Sequence, residues 1–327
     1  MKIAVYCPNW IGDAIMAIPF IQELKKHNPS AKIFVICKSW VSGIFENNKL
    51  IYQIISISDN DLSSISGTIK AGLKLRTMEF DSAYTLTDSF RSAFVLWLSG
   101  SKKRFGYNTQ MRSFLLTDSK RLSHEIIHRS KKYLRLLEID SDLKVYPKLY
   151  FTPSEKKWAK KEMMKIGFKN PVGILPYSVG KNRTLPNEVL KKWIKGSKND
   201  YLVFGSKKDS EKSNNLIKSC KKNSIKSICG EYTLRESMVL LNSCDFTLCA
   251  DSGLGHISAS LGIPTISFFG VGNKEVTAPL GKKTYVIKHC YVCKEEDCSD
   301  ENQEMFCLKK ITKIDIENSA QNIFFSF

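Results

Sequence analysis

No hydrophobic run in the sequence is long enough to cross a membrane. The longest uninterrupted apolar run, Ala93 to Leu98, has six residues, whereas a membrane-spanning helix needs about 20. The first apolar run, Ile3 to Cys7, ends at Pro8 and is too short for the core of a signal peptide. Short-period repeats and low-complexity tracts are also missing. We therefore expect a soluble, cytoplasmic protein.

Acidic residues are in the minority. The chain has 32 Asp and Glu against 50 Lys and Arg, which gives a net charge of +18. Residues 91–135 alone hold eleven bases and two acids, so the excess is concentrated in one segment. Such a segment indicates nucleic acid, or phosphorylated lipid or sugar at a membrane surface, with solvated lysine-rich helix faces as the alternative. No known nucleic-acid-binding motif accompanies the charge.

Strand-like and helical runs alternate along the whole chain, which predicts an α/β fold. The first half contains four predicted strands: 2–6, 32–37, 52–57 and 81–86. The second half contains five: 171–175, 200–204, 226–228, 245–249 and 264–268. Helices are predicted between the strands, among them 13–27, 39–46 and 124–139. We therefore expect two Rossmann-like, doubly wound domains, 1–155 and 156–327, whose sheet edges face each other across a cleft.

Ligands bind such folds at the turns from strands into helices. The first turn, residues 8–13, ends in Asp13. This carboxylate either interacts with the helix dipole or accepts a proton from a sugar hydroxyl. The turn at 176–186 carries small residues and the cations Lys181 and Arg183, which suit an anion-binding loop. It lacks the glycine spacing of a Walker loop.

A third turn follows the predicted strand 245–249 and begins at Asp251. Ser252 is placed to cap the next helix, and the amides of Gly253 and Leu254 are placed to face a diphosphate. His256 falls on the first turn of this helix, where it either donates to a phosphate or sugar oxygen or is simply packed. The turn predicts a site for a phosphorylated ligand.

Three further motifs resemble known ligand sites. Residues 124–128 spell H-E-x-x-H, the zinc motif of metallopeptidases, but no third ligand follows and basic residues crowd the motif, so we treat the match as accidental. Residues 270–272 (Gly-Val-Gly) lack the third glycine of a dinucleotide-binding fingerprint. Four of the ten cysteines are closely spaced and suit either a structural zinc or iron site or free thiols: Cys290, Cys293, Cys298 and Cys307.

Taken together, the turns resemble those of the ADP-heptose:lipopolysaccharide heptosyltransferases (glycosyltransferase family 9), in particular the heptosyltransferase II branch. The resemblance covers nearly the whole chain. It rests on these segments: Trp10 to Asp13, Asp88 to Ala93, Arg104 to Tyr107, His128 with Tyr133, Phe204 to Asp209, Asp251 to His256, and Gly262 to Pro264.

The resemblance implies a GT-B fold and an inverting transfer, with the acceptor on the N-terminal domain and the nucleotide-sugar on the C-terminal domain. It makes Asp13 the general base and places Tyr232 near the adenine. The family loop K-R-W-P stands here as Arg183-Thr184-Leu185-Pro186, so either Arg183 or Lys181 stabilises the leaving ADP. The donor-binding residues implied are Ser178, Gly205, Tyr232, Asp251, Ser252, Gly253, Leu254 and His256.

The expected activity is therefore transfer of heptose from ADP-heptose to the inner core of lipopolysaccharide, at the inner face of the cytoplasmic membrane. Acceptor phosphates and carboxylates would be attracted by Arg91, Arg104 and Arg112. Catalysis would require no cofactor, and no nucleic acid is an expected partner. Three alternatives remain: a protein O-heptosyltransferase of the same family, a non-catalytic nucleic-acid-binding protein and a metallopeptidase.

Overall fold

Parallel β-sheets organise both halves of the chain. A computed structural model describes residues 1–139, 145–289 and 306–325. The chain divides into two units, Met1–Tyr150 and Phe151–Phe327, each with its own sheet. Within the described ranges, no helix combines the length and the apolar character that crossing a bilayer requires.

The first unit contains a six-stranded sheet with the order β3-β2-β1-β4-β5-β6, and all of its strand pairs are parallel. Its strands are β1 Lys2–Tyr6, β2 Lys32–Lys38, β3 Gln53–Ile57, β4 Ser82–Thr85, β5 Lys103–Tyr107 and β6 Asp118–Lys120. Its helices are α1 Ile11–Met16, α2 Ile18–His27, α3 Asp59–Ser63, α4 Ile65–Arg76, α5 Phe90–Leu98 and α6 Arg129–Leu134. The central strands are apolar almost throughout because helices cover both of their faces.

The second unit repeats this arrangement with the strand order β12-β11-β10-β7-β8-β9. Its strands are β7 Val172–Leu175, β8 Tyr201–Val203, β9 Ile225–Ser227, β10 Thr247–Ala250, β11 Thr265–Phe268 and β12 Thr284–Ile287. Its helices are α7 Pro153–Ile166, α8 Asn187–Lys195, α9 Ser210–Cys220, α10 Leu234–Leu241, α11 Gly253–Ser260, α12 Lys274–Thr277, α13 Phe306–Lys309 and α14 Lys313–Phe325.

The strand order determines where each sheet offers a ligand site. In each sheet the second and third strands are added on one side of the first strand. The chain then crosses back, and the last three strands are added on the other side of the first strand. The order therefore reverses between β1 and β4 in the first unit and between β7 and β10 in the second. A doubly wound sheet binds its ligand beyond the carboxyl ends of the strands at this topological switch point. The ligand sites of the two units are therefore expected at the turns that follow these four strands.

Three predicted helices differ from those in the structure, and two of them lie within the first 50 residues. The predicted helix 13–27 is interrupted at Ala17, between α1 and α2. Pro19 explains the break, because its nitrogen has no hydrogen to donate to the carbonyl group one turn earlier. Residues 39–46 form a 3₁₀ helix, Ser39–Ile44, instead of an α-helix.

The H-E-x-x-H segment is not helical. The helix predicted over 124–139 begins only at Arg129, so His124 and His128 do not share a helix face. His128 is instead the N-cap of α6, where its Nδ1 accepts the backbone N–H of Ser130 at 3.2 Å. The local backbone thus lacks the helical geometry on which the metallopeptidase motif depends.

Candidate active site

The turn after β1 carries Asp13 into the first helical turn of α1. Its side chain is 20% exposed, and the Nε atom of Arg129 lies 3.7 Å from its Oδ1. Arg129 is the first residue of α6, which packs against α1. The predicted base therefore lies at the first switch point, with a guanidinium group beside its carboxylate.

A second carboxylate, Asp88, follows β4 on the other side of this switch point. The Nζ of Lys132 lies 2.6 Å from Asp88 Oδ2 and 5.2 Å from the ring centroid of Tyr107. Tyr133 is 2% exposed. Burial and the negative charge of Asp13 raise the pKa of Tyr133 well above its usual range, and Asp88 adds to this effect.

Helix α6 therefore supplies a basic side chain to each carboxylate of the first switch point. The sequence indicated Asp88 only as part of a family motif and Lys132 only as one of the bases of segment 91–135, so neither was predicted as a site residue. The spacing of Arg129, Lys132 and Tyr133 could have identified this arrangement, because residues three and four positions apart lie on one face of a helix.

The three arginines expected to bind the acceptor differ sharply in exposure. Arg91 is exposed. Arg104 is partly buried, and it donates from Nε to the carbonyl of Leu115 at 2.7 Å and from a terminal nitrogen to that of Ser101 at 2.6 Å.

Arg112 is fully buried, which contradicts its predicted place in a surface patch. Its guanidinium donates to the carbonyl oxygens of Tyr107 at 2.9 Å and Ser89 at 2.8 Å, so it holds the interior of the unit together. A side chain without solvent exposure adds nothing to a surface that attracts phosphates.

The remaining bases of segment 91–135 do not form a uniform patch either. Several are paired with acids of the same unit: Arg129 with Asp13, Lys132 with Asp88, Arg135 with Glu125, and Lys120 with Glu138. Much of the local positive charge is thus balanced by nearby carboxylates, which sequence counting over 91–135 does not reveal because Asp13, Asp88 and Glu138 lie outside the counted range.

At the second switch point, the turns after β7 and β10 contact each other. Ser178 donates its hydroxyl hydrogen to the carbonyl of Asp251 at 3.0 Å. A terminal nitrogen of Arg183 lies 3.5 Å from Asp251 Oδ2, and the two side chains are 36% and 6% exposed. Lys181 begins a short 3₁₀ turn that ends at Arg183, and its side chain is not among those that the structure describes. The sequence-predicted anion loop and the Asp251 turn therefore form one site.

Ser252 precedes α11 as predicted, but it does not cap the helix through its side chain. Its φ of −152° and ψ of 163° are extended. Among the residues that the structure describes, its buried Oγ has no hydrogen-bond partner. Gly253 and Leu254 open α11, where backbone N–H groups have no partner within the helix. His256, on the same turn, is only 3% exposed.

Two glycines allow the backbone to approach this site closely. Gly272 has a φ of +97°, and a Cβ there would lie 3.5 Å from Asp251 Oδ2. The segment 270–272, rejected as a dinucleotide fingerprint, thus borders the Asp251 carboxylate. At Gly205, after β8, a Cβ would lie 2.8 Å from Cδ2 of Tyr177. Any larger residue at Gly205 would push against that ring.

Tyr232, which the resemblance places near the adenine, lies between β9 and α10. Its hydroxyl donates to Glu162 Oε1 at 3.0 Å, and its ring meets that of Trp158 edge-on at 5.9 Å between centroids. Burial raises the pKa of Tyr232 to about 12, and the bond to Glu162 contributes. The ring is therefore held against α7 in a fixed orientation.

The comparison with protein families decides the class of the protein. The model of glycosyltransferase family 9 (heptosyltransferase) matches residues 69–305, more than two thirds of the chain. The chain belongs to this family. The predicted membership and the prediction of a glycosyltransferase are therefore confirmed.

Individual members of glycosyltransferase family 9 resemble the chain over most of its length. The lipopolysaccharide heptosyltransferase 2 of Escherichia coli is 26% identical over 306 residues, which covers 88% of each chain. The structure of E. coli ADP-heptose lps heptosyltransferase II has a TM-score of 0.83, with 23% identity and coverage of 100% and 99%. A family 9 glycosyl transferase from Veillonella parvula has a TM-score of 0.85 at 19% identity, with coverage of 100% and 98%. The predicted GT-B class of fold is confirmed.

The cysteine cluster lies mostly outside the described part of this family 9 chain. Cys290, Cys293 and Cys298 are not among the described residues, and Cys307 is buried at the start of α13. Within residues 1–139, 145–289 and 306–325, no group of three or more His, Cys, Asp or Glu is arranged to hold a metal ion.

Proposed function

We propose that the chain transfers heptose from ADP-heptose to the inner core of lipopolysaccharide by an inverting reaction, as a heptosyltransferase of type II. The family match over residues 69–305 carries this proposal. The E. coli relative named lipopolysaccharide heptosyltransferase 2 supports the type, because the alignment spans 88% of both chains. We therefore propose that the transfer takes place on the cytoplasmic side of the membrane in which the acceptor is anchored.

We assign the donor to the second unit. The diphosphate would bind at the start of α11, where the amides of Gly253 and Leu254 and the Ser252 hydroxyl offer hydrogen bonds to an anion. The other donor-binding residues proposed are Ser178, Gly205, Tyr232, Asp251 and His256. The ion pair between Arg183 and Asp251 keeps a guanidinium next to this helix start, and we propose that Arg183, with Lys181 as the other candidate, stabilises the leaving ADP.

We assign the acceptor to the first unit, with Asp13 as the general base. In the proposed step, the acceptor hydroxyl oxygen attacks the anomeric carbon as the bond to ADP breaks, and the hydroxyl proton passes to the Asp13 carboxylate. One displacement inverts the anomeric centre and needs no covalent intermediate. Arg91 is the exposed cation proposed to attract acceptor phosphates, and Arg104 is a second candidate with less exposure.

The test is incubation of the purified protein with ADP-heptose and defined inner-core acceptors, followed by mass spectrometry of the product. Asp13→Asn should lower the rate by about 10²–10⁴-fold, because the amide cannot accept the proton, while calorimetry should show unchanged ADP binding. Asp118→Asn is the matched control, since Asp118 is an exposed aspartate of the edge strand β6. Full turnover by Asp13→Asn would exclude this residue as the base.

The same experiment separates the alternative activities. Heptose found on a polypeptide, with none on the core acceptors, would identify a protein O-heptosyltransferase. Absence of any transfer together with steeply salt-dependent RNA or DNA binding would identify a nucleic-acid-binding protein.

We also propose a structural zinc or iron bound by Cys290, Cys293, Cys298 and Cys307. Four thiolates form a closed tetrahedral site, so such a metal would stabilise the C-terminal segment and leave no position for a substrate. No step of the proposed transfer depends on it. Metal analysis of the purified protein tests this assignment, and a metal-free protein with full thermal stability would contradict it.

A further inference from the structure

Helix α5 in the first unit is apolar on the face that it exposes as well as on the face that it buries. Ser92, Ala93, Val95 and Leu96 are buried. The outer face carries Phe90, Phe94 and Trp97, at helical spacings of four and three residues. Apart from Arg91, the exposed residues of this helix are apolar. A helix that is apolar all round is normally covered on every side, so this outer face indicates a missing partner.

The outer aromatic side chains form a continuous row that extends beyond the helix. The ring centroids of Phe90 and Phe94 are 6.2 Å apart, those of Phe94 and Trp97 5.9 Å, and those of Phe90 and Phe114 6.1 Å. Phe90 is 40% exposed, Trp97 47% and Phe114 71%. We call Phe90, Phe94, Trp97 and Phe114 the aromatic row. A connected group of exposed aromatic side chains is characteristic of an interaction surface.

A rigidly anchored loop extends this surface at one end. Gln110 and Met111 have φ angles of 49° and 53°, in the left-handed region that residues other than glycine seldom adopt. The Gln110 side chain accepts the backbone N–H of Phe90 at 2.8 Å, and buried Arg112 bonds to the carbonyl of Ser89. These bonds fix the loop to the start of α5 and leave Met111 87% exposed at its tip. The protein thus maintains an unfavourable backbone that presents an apolar side chain.

Exposed bases flank the aromatic row along the sequence. Residues 89–121 contain seven bases and one acid. Arg112 is buried, and Lys102 and Lys120 are paired with Asp81 and Glu138, but Arg91, Lys103 and Arg121 are exposed. Two copies of the chain meeting through this face would bring like charges together, which disfavours self-association. An anionic bilayer surface is complementary in both respects, because basic side chains attract its headgroups and aromatic rings partition into its interfacial layer.

We propose that the aromatic row, with Met111 and the exposed bases beside it, docks the first unit on an anionic lipid bilayer. The proposed lipopolysaccharide acceptor gives this docking a purpose, since the enzyme would meet a substrate anchored in the same bilayer. The observations that carry the docking surface do not depend on the enzymatic activity, so the two proposals can fail separately.

The test is flotation of the purified full-length protein with vesicles that contain no acceptor. Vesicles of phosphatidylethanolamine and phosphatidylglycerol should bind the protein, and vesicles of phosphatidylcholine alone should bind it less. Binding should fall as salt rises, because the exposed charges are then screened. The double substitution Trp97→Ser with Phe114→Ser should weaken binding by about tenfold or more.

Met164→Ser is the matched control, because Met164 is a 67% exposed apolar residue on α7 of the other unit. Its binding should equal that of the natural protein. Met111→Ser provides a second variant at an exposed loop tip, and Trp97→Phe should retain most of the binding. Thermal melting of each variant checks that it is folded.

Three results would overturn the docking surface. The first is no binding of the natural protein to anionic vesicles, and the second is equal losses in the double variant and in Met164→Ser. The third is a dimer in solution that the double variant dissociates, which would make a second copy the occupant. Transfer of heptose to a soluble, deacylated acceptor should be unchanged in the double variant, so lost activity there would point to the active site and not to docking.

Discussion

Three arginines of one basic segment provide a direct test of how burial sets a side chain's role. Arg91 is exposed, Arg104 is partly buried and Arg112 is fully buried. Replacing each with alanine removes the same atoms from three environments. We expect a graded loss of stability in the first unit, smallest at Arg91 and largest at Arg112.

The hydrogen bonds determine the magnitude. Arg112→Ala leaves the carbonyls of Tyr107 and Ser89 without their charged donor, and it also removes a weaker contact of 3.3 Å to Ser92 Oγ. Each bond to a charged group contributes about 1.5–3 kcal/mol, and the cavity left behind adds a further cost. The substitution also removes the desolvation cost of burying the guanidinium, whose Nη2 has no partner among the described residues, and this offsets part of the loss. The expected net loss is about 3–5 kcal/mol.

The other two substitutions should cost less. Arg104→Ala also removes two bonds to carbonyls, but water can replace them at a partly exposed position, so we expect about 1–2 kcal/mol. Arg91→Ala should stay within about 0.5 kcal/mol.

Amide hydrogen exchange followed by mass spectrometry is the suitable assay, because it resolves the two units of the chain. Peptides from β5 and α5 should lose least protection in Arg91→Ala, more in Arg104→Ala and most in Arg112→Ala. Peptides from β7 and β10 serve as the internal reference. If Arg112→Ala were as stable as Arg91→Ala and raised only the KM for the acceptor, the buried-anchor interpretation would be refuted.

Two further predictions concern the second unit. Hydrogen bonding to Arg235 lowers the pKa of Glu155 from 4.5 to about 2. A carboxylate whose pKa is lower in the folded than in the unfolded protein stabilises the fold at any pH above its unfolded pKa. This stability should therefore be lost as the pH falls from 4.5 towards 2. Arg235→Gln should flatten that part of the profile of unfolding temperature against pH, and an unchanged slope would contradict the assignment. Ser252→Ala should leave folding stability within about 0.5 kcal/mol, because its Oγ has no described partner. It should weaken ADP binding about tenfold by calorimetry, and unchanged affinity would remove Ser252 from the donor site.

Most of the strands that the sequence predicted are largely buried, and the edge strands β3 and β9 are the exceptions. β1 reads Lys-Ile-Ala-Val-Tyr, and four of its five residues are buried. The missed strands β5, β6 and β12 carry polar residues or lie at a sheet edge, where one strand neighbour is lacking. Their short polar sequences show neither a continuous apolar run nor a clear alternation, and only pairing with the preceding strand makes them regular.

The side-chain errors share a different cause. Arg112 was assigned to a surface patch because bases are concentrated over residues 91–135. Its partners are the carbonyl groups of Tyr107 and Ser89, and no side-chain pattern identifies a backbone acceptor that only the tertiary fold brings near. Ser252 was assigned as a helix cap because serine is favoured at the position before a helix. The sequence does not determine the side-chain rotamer, and the hydroxyl does not bond to the helix in the structure.

The two sheets have the same topology, so their proposed roles must come from the side chains at the two switch points. At the first, the side chains of Asp13 and Asp88 are 20% and 40% exposed. At the second, the carboxylate of Asp251 is 6% exposed and paired with Arg183, beside the amides that open α11. A diphosphate is repelled by accessible carboxylates and attracted by helix amides and a guanidinium, whereas proton acceptance requires an accessible carboxylate. This contrast supports the donor at the second switch point and the base at the first. Exchanging the two roles would place the diphosphate against the carboxylates of Asp13 and Asp88 and would leave the acceptor without an accessible base.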